Sequence, residues 1–186
     1  MSNKPLFGKQ GGRTENMYTI SAIGQDSHRF EEAGAAVDVR DGEREARTLT
    51  LGGVRFPGEA PLRGASDADV ALHALCNAIS GATGCNILGA VADRMLLEEG
   101  ITDSAAYVKA AMEHLAGDKI VHVSFSIECA RPIISPRIAE MRESVAKILG
   151  IGARDVCVTA TSGEGLTDFG RGLGVQVFCV VTVLKK

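Results

Sequence analysis

KIVHVSFSIECARPIISPRIAEMRESVAKILGIGARDVCVTATS, residues 119–162, decides the fold. Its first part alternates, with Val121, Val123, Phe125 and Ile127 on one side and His122, Ser124 and Ser126 on the other, the period of a half-buried strand. The period then lengthens. Ile138, Met141, Val145 and Ile148 recur at helical spacing, with Ser135 as cap, Pro136 in the first turn and Gly150 at the close. DVCVTATS returns to the composition of a strand. Strand, helix and strand follow one another within a single stretch.

The flanks extend that pattern. Met17–Gly24 reads as a strand leading into a turn at Asp26 and His28. EEAGAAVDVRDGEREAR (31–47) is polar and without apolar period, so it reads as a loop. RTLTLGGVRF (47–56) suits a strand or a hairpin about Gly52 and Gly53. ASDADVALHALCNAISGATG (65–84) opens a helix, with Ser66 and Asp69 in a capping-box pattern and Gly81 or Gly84 as its end. DSAAYVKAAMEHLAG (103–117) is a second helix with Ala105, Val108, Met112 and Leu115 at helical spacing. LGVQVFCVVTVL (173–184) is the last strand. The order β-β-α-α-β-α-β-β predicts an α+β fold: a two-layer sandwich, a mixed sheet with helices on one face. Residues 18–186 read as one domain and residues 1–17 as a flexible tail.

Bulk properties narrow the classes. The 186 residues suit one domain with a real core, and with no Trp, six Phe and two Tyr that core is aliphatic. A net charge of −3 leaves no basic footprint for nucleic acid. No apolar run is long enough to span a bilayer, and the first sixteen residues lack the apolar centre of a signal peptide. The five cysteines, Cys76, Cys85, Cys129, Cys157 and Cys179, are scattered and form no C-x-x-C, which argues for a reducing cytosol and against disulfides or a cysteine metal site. Cys129, Cys157 and Cys179 sit in strand-like runs, as small buried apolar residues do.

The chemistry-bearing residues form two groups. In GQDSHRF (24–30), Asp26 and His28 lie two apart on a strand end and project to the same side, as two ligands of a Zn²⁺-like ion would. Asp-x-His is equally a common solvated strand end, so a third ligand decides its meaning. His73 is the candidate: Ser66, Asp69, His73 and Asn77 share one face of their helix, beside an apolar face of Val70, Ala71, Ala74, Leu75 and Ile79. An Asp-His-His set leaves one tetrahedral position open. His114 and His122 have no comparable setting. The second group is VTATSGEGLTDFGRGLG (158–174). Its glycines admit a ligand close to the backbone, its hydroxyls and amides suit phosphate oxygens, and Glu164 suits a hard ion such as Mg²⁺. A plain glycine-rich hairpin would look the same.

IGQDSHRF, LGGVRFP, SDADVALHAL, RPIISPRIAEMRESVAKILGI and ATSGEG…GRG, in that order, resemble the 2-C-methyl-D-erythritol 2,4-cyclodiphosphate synthase family from about Tyr18 to the C-terminus. The resemblance implies a cytoplasmic homotrimer of α+β subunits with interfacial active sites. It implies Zn²⁺ on Asp26, His28 and His73, and Mg²⁺ or Mn²⁺ on Glu164 and substrate phosphates. Thr161 and Glu164 would be catalytic, and Ser66, Asp69, Asn86, Arg131, Ile133, Ala160, Thr161, Ser162 and Arg171 would frame the substrate, with Arg171 also lining a channel on the threefold axis where isoprenoid diphosphates can sit. That substrate is 4-diphosphocytidyl-2-C-methyl-D-erythritol 2-phosphate, whose 2-phosphate attacks the β-phosphorus and expels CMP.

The chain departs from the family at several of these positions. Ala65 stands for a loop His, Asn86 for an Asp that holds the erythritol hydroxyls, and Ile133 for a Lys that frames the cytidine diphosphate. Ser162 and Gly163 replace threonines, Leu173 replaces a Glu, and the family's F-P-D-T-D-P survives only as Val91-Ala92-Asp93. The loop between His28 and Leu51 is longer. Residues on the metals stay while several on sugar and nucleotide change. Two other readings therefore remain open: an enzyme of the same fold on another phosphate or diphosphate, and a non-catalytic trimer binding a metal, nucleotide or isoprenoid phosphate.

Overall fold

The computed structural model describes residues 17–31, 37–40 and 43–186, with the backbone alone for 37–40 and 43–46. The tail expected at residues 1–17 therefore lies outside the described residues except at Met17. A four-stranded sheet organises the chain. Its strands are β1 (Tyr18–Arg29), β6 (Lys119–Glu128), β7 (Val156–Thr161) and β8 (Gly174–Lys185), in the order β1-β8-β6-β7. β8 is antiparallel to β1 and β6, and β7 is parallel to β6, so the sheet is mixed as the sequence predicts. Two hairpins stand apart from it: β2 (Val37–Arg40) with β3 (Glu43–Ala46), and β4 (Leu49–Leu51) with β5 (Val54–Phe56). The second is the hairpin expected about Gly52 and Gly53. The first corrects the expectation of a loop through 31–47.

One face of the sheet carries the core. Along β8, Val175, Val177, Cys179, Val181 and Val183 are buried, while Phe178 and Val180 on the other face remain exposed. Helix α1 (Val70–Thr83) lies against β1 and β8, and ten of its 14 residues are buried, which makes it a core helix. α3 (Ser104–Glu113) packs on α1, and α4 (Ile138–Leu149) packs on β7 and α3. α2 (Ala90–Glu99) has no counterpart in the sequence reading; with Ala92 its one buried residue, its apolar stripe is too thin to stand out.

Four local details correct the sequence reading. Asp69, not Ser66, caps α1. Ser135 heads a short 3₁₀ turn, Ser135–Arg137, and gives α4 no side-chain cap, although Gly150 closes that helix in the left-handed conformation as expected. A bulge between Ile120 and His122 reverses the start of β6, so Ile120 is buried and Val121 exposed. Cys157 is exposed because it faces away from the helices, whereas Cys129 and Cys179 are buried as predicted.

Candidate metal centre

β1 does not turn at Asp26 but runs on to Arg29, so Asp26 and His28 project from a regular strand toward the helices. Gly24, two residues earlier on the same side, has no side chain, and the backbone of α1 at Ala74, Asn77 and Ala78 occupies the place of the missing Cβ. That close approach brings His73 against Asp26. The Oδ2 atom of Asp26 lies 3.0 Å from Nε2 of His28 and 2.9 Å from Nδ1 of His73.

The outer nitrogens are also held. Nδ1 of His28 donates to the Arg63 carbonyl at 2.7 Å, and Nε2 of His73 lies 2.9 Å from the Ser104 hydroxyl oxygen. Burial opposes ionisation of Asp26, but hydrogen bonds from His28 and His73 outweigh it and keep the carboxyl well below the usual range. His28 is raised above 6.5 chiefly by its hydrogen bond to Asp26, with burial opposing and the Arg63 carbonyl adding to the rise. Two imidazoles and one carboxylate converge with their outer nitrogens tied to acceptors, which fits a divalent ion of the Zn²⁺ type.

The triad opens into a cleft of about 420 Å³ whose wall also includes Ser66, Asn77, Gly89, Asp93 and Tyr107. Ser66, expected from the resemblance to frame the substrate, thus lies on the cleft wall. Tyr107 was not anticipated, and Asp93 entered the sequence reading only as the remnant of the family's F-P-D-T-D-P. Asp93 sits in the first turn of α2, and Gly89 before it and Gly100 after it were the available signals for that helix.

Two substrate positions expected from the sequence lie elsewhere. Asp69 is fully buried: its carboxylate accepts from Ala71 and Leu72 in the first turn of α1 and from Gly52 and Gly53 in the β4–β5 turn. It joins hairpin to helix and has no surface to offer a ligand. Burial, with the neighbouring Asp67 carboxylate, pushes it up to about 6 against the pull of those amides. Asn86 is exposed and outside the cleft wall.

The second group is split: Asp168, Phe169, Leu173 and Gly174 line a cavity of about 190 Å³ with His28, while its hydroxyl-bearing start lies apart from the triad. Thr161 aligns through Glu128 and Gln176 with Ser27, so it lies across the full sheet from β1, about 14 Å at three interstrand spacings. Ala160, Thr161, Ser162 and Glu164 are exposed there, with Glu164 in a left-handed conformation at φ 51°. Ile133 is 78% exposed. Arg171 is exposed and paired with Asp168 at 2.7 Å. Arg131 leans over the Phe30 ring at 4.2 Å from its centroid and 3.8 Å from Glu59.

Fold and site together define an α+β protein with a candidate divalent-metal centre at the seam between its edge strand and its core helix. Residues 20–184 match the model of the YgbB family, and the chain belongs to that family. It is 46% identical over 164 residues to the 2-C-methyl-D-erythritol 2,4-cyclodiphosphate synthase of Chlamydia muridarum, covering 88% of this chain and 86% of that one. The crystal structure of the synthase from Plasmodium vivax superposes with a TM-score of 0.71 at 21% identity, covering 91% of this chain and 99% of the other, a likeness of fold. A CDP-bound synthase structure superposes with a TM-score of 0.68 at 25% identity, covering 89% of this chain and all of that one (100%).

Proposed function

We propose that the chain is a cyclodiphosphate synthase: it cyclises 4-diphosphocytidyl-2-C-methyl-D-erythritol 2-phosphate to the 2,4-cyclodiphosphate with release of CMP, in the cytoplasm, as a step toward isoprenoid precursors. The observation that carries this reading is the convergence of Asp26, His28 and His73 at the head of a cleft, in a chain of this family.

Asp26, His28 and His73 would hold Zn²⁺, and Glu164 with substrate phosphates would hold Mg²⁺ or Mn²⁺. When bound, such ions neutralise phosphate charge and stabilise the charge that develops in transfer. The chain's own task is positioning, since phosphoryl transfer needs aligned oxygens more than a covalent catalyst. Ser66 and Asn77, on the cleft wall, offer hydrogen bonds to the phosphorylated end. Asp93, on the same wall, takes the polyol hydroxyls in place of the carboxylate that Asn86 does not supply. Thr161, Ser162, Ala160 and Arg131 frame the diphosphate and cytidine, Thr161 and Glu164 acting at the reacting phosphates, and the exposed Ile133 packs on the nucleoside.

The triad sits at the β1 edge and Glu164 follows the far edge strand β7, and an interface between copies would bring a triad and a Glu164 onto one substrate. A homotrimer in which the exposed sheet faces meet, leaving each subunit with two layers, supplies that interface. The bound CDP of the solved relative supports the nucleotide side of the reading.

The test is incubation of purified protein with the substrate, Zn²⁺ and Mg²⁺. CMP and the cyclic diphosphate should appear together, identified by mass. A folded, metal-loaded protein that releases neither would overturn the assignment.

A further inference from the structure

We propose that Asp67 and Ser104 form a positioning relay that fixes His73 as a ligand through Nδ1 and sets the affinity of the metal centre. This rests on the reading of the triad as a metal site. The relay is read from proton counting. Ser104 is fully buried, at 0% exposure, and its hydroxyl has one hydrogen. That hydrogen goes to the Oδ1 atom of Asp67, a carboxylate that can only accept. The Ser104 oxygen, 2.9 Å from Nε2 of His73, can then act toward the ring only as an acceptor. Nε2 must carry a proton, so Nδ1, which donates to Asp26 at 2.9 Å in the metal-free protein, is the nitrogen whose proton a metal displaces and whose lone pair it takes.

Asp67 is itself immobilised. It accepts from the Ser104 amide at 3.2 Å and from the Asp69 amide at 3.2 Å. Asp69 in turn caps α1, the helix that carries His73. The carboxylate and the ring are thereby tied to one short piece of backbone. A charged acceptor at the far end draws the Ser104 proton away and strengthens the serine as an acceptor, which makes the imidazole a better donor of its Nδ1 lone pair. His28 has only a neutral carbonyl, that of Arg63, in the same role. The two histidines are therefore unequal ligands, with His73 the more strongly supported.

The test is metal affinity, read without turnover. Zn²⁺ is titrated in competition with a chromophoric chelator, and the visible absorption of the Co²⁺-loaded protein is recorded. Ser104→Ala should weaken Zn²⁺ binding about 10–100-fold and alter the Co²⁺ spectrum. Ser104→Thr, which keeps the hydroxyl, should restore both. Asp67→Asn should weaken binding by less, because the amide oxygen still accepts, and the double variant should bind no worse than Ser104→Ala alone. If the alanine variant does not fold, Ser104→Cys, close in size but a poorer acceptor, carries the same expectation. Wild-type affinity and spectrum in a folded Ser104 variant would overturn the relay, as would losses from Asp67 and Ser104 that simply add. Failure of the unmodified protein to bind Zn²⁺, or full binding by His28→Ala, would instead remove the metal site itself.

Discussion

His28 holds two acceptors at once, the Arg63 carbonyl on Nδ1 and the Asp26 carboxylate on Nε2. Satisfying both requires the doubly protonated ring, which is why its pKa rises above 6.5. In the metal-free protein that contribution to stability is present below 6.5 and is lost as pH rises through the raised value. Asp26, lowered from 3.8, adds a contribution present above 3.8 and lost in stronger acid. Metal binding has the opposite demand, since a ligand imidazole must shed its Nε2 proton. The rise in Tm produced by Zn²⁺ should therefore grow from pH 5.5 to pH 8, measured by thermal melts with and without metal; a rise independent of pH would contradict the protonated His28. Asp93 makes a separate prediction at this scale. Asp93→Ala should raise KM for the diphosphocytidyl substrate about tenfold, the cost of a lost charged hydrogen bond to a hydroxyl, with Zn²⁺ binding unchanged. An unchanged KM would remove Asp93 from the substrate's surroundings. The triad was legible in the sequence because its parts are local patterns, a strand pair and a helix position. The place of Ser104 beside His73 was not, because it arises from the packing of α3 on α1, which no short spacing encodes, and Asp93 showed only as the remnant of a family motif.

α1 is positioned by a strand without a side chain and by a buried carboxylate. Gly24 allows the helix backbone to reach β1, and Asp69 ties the first turn of α1 to the β4–β5 turn through four amides. The second of these is a structural joint, although its place in S-D-x-D suggested a substrate ligand. Asp69→Ala removes a helix cap and leaves the amides of Gly52 and Gly53 without their partner. The loss should be about 3 kcal/mol, seen as a fall in Tm of about 6–12 °C for a chain of this size. Little change in Tm with a large fall in turnover would return Asp69 to the substrate. The elements themselves were readable in proportion to their patterning. β6, β8, α1, α3 and α4 follow clean periods and stand where expected. α2 has almost no buried face to betray it, the bulge in β6 moves Val121 to the outside without any change in composition, and Cys157 is as apolar in sequence as Cys179 though it lies on the exposed face.

The whole molecule leaves its chemistry divided. Asp26, His28 and His73 lie at the β1 edge and Thr161 ends the β7 edge strand, with β8 and β6 between, while Glu164 follows in the next turn. Sequence motifs carry no record of which copy of the chain supplies which edge, so in the proposed homotrimer a single constellation read from the sequence would resolve into two half-sites. On the face away from the helices, exposed Ile23, Phe178 and Val180 stand beside Ser124 and Ser126. The division gives a sharp test. His28→Ala lacks the first half-site and keeps the second; Glu164→Gln does the reverse, and each variant alone should be nearly inactive. In trimers assembled from an equal mixture, a site is whole only where an intact triad meets an intact Glu164 from its neighbour. Random assembly makes about a quarter of the sites whole in a closed ring of identical interfaces. Co-refolded or co-expressed variants should therefore recover about a quarter of the unmodified rate of CMP release. If both half-sites served the substrate from within one subunit, mixing would recover nothing, and the 14 Å between the edges, about three strand spacings, would have to be bridged by movement within the chain.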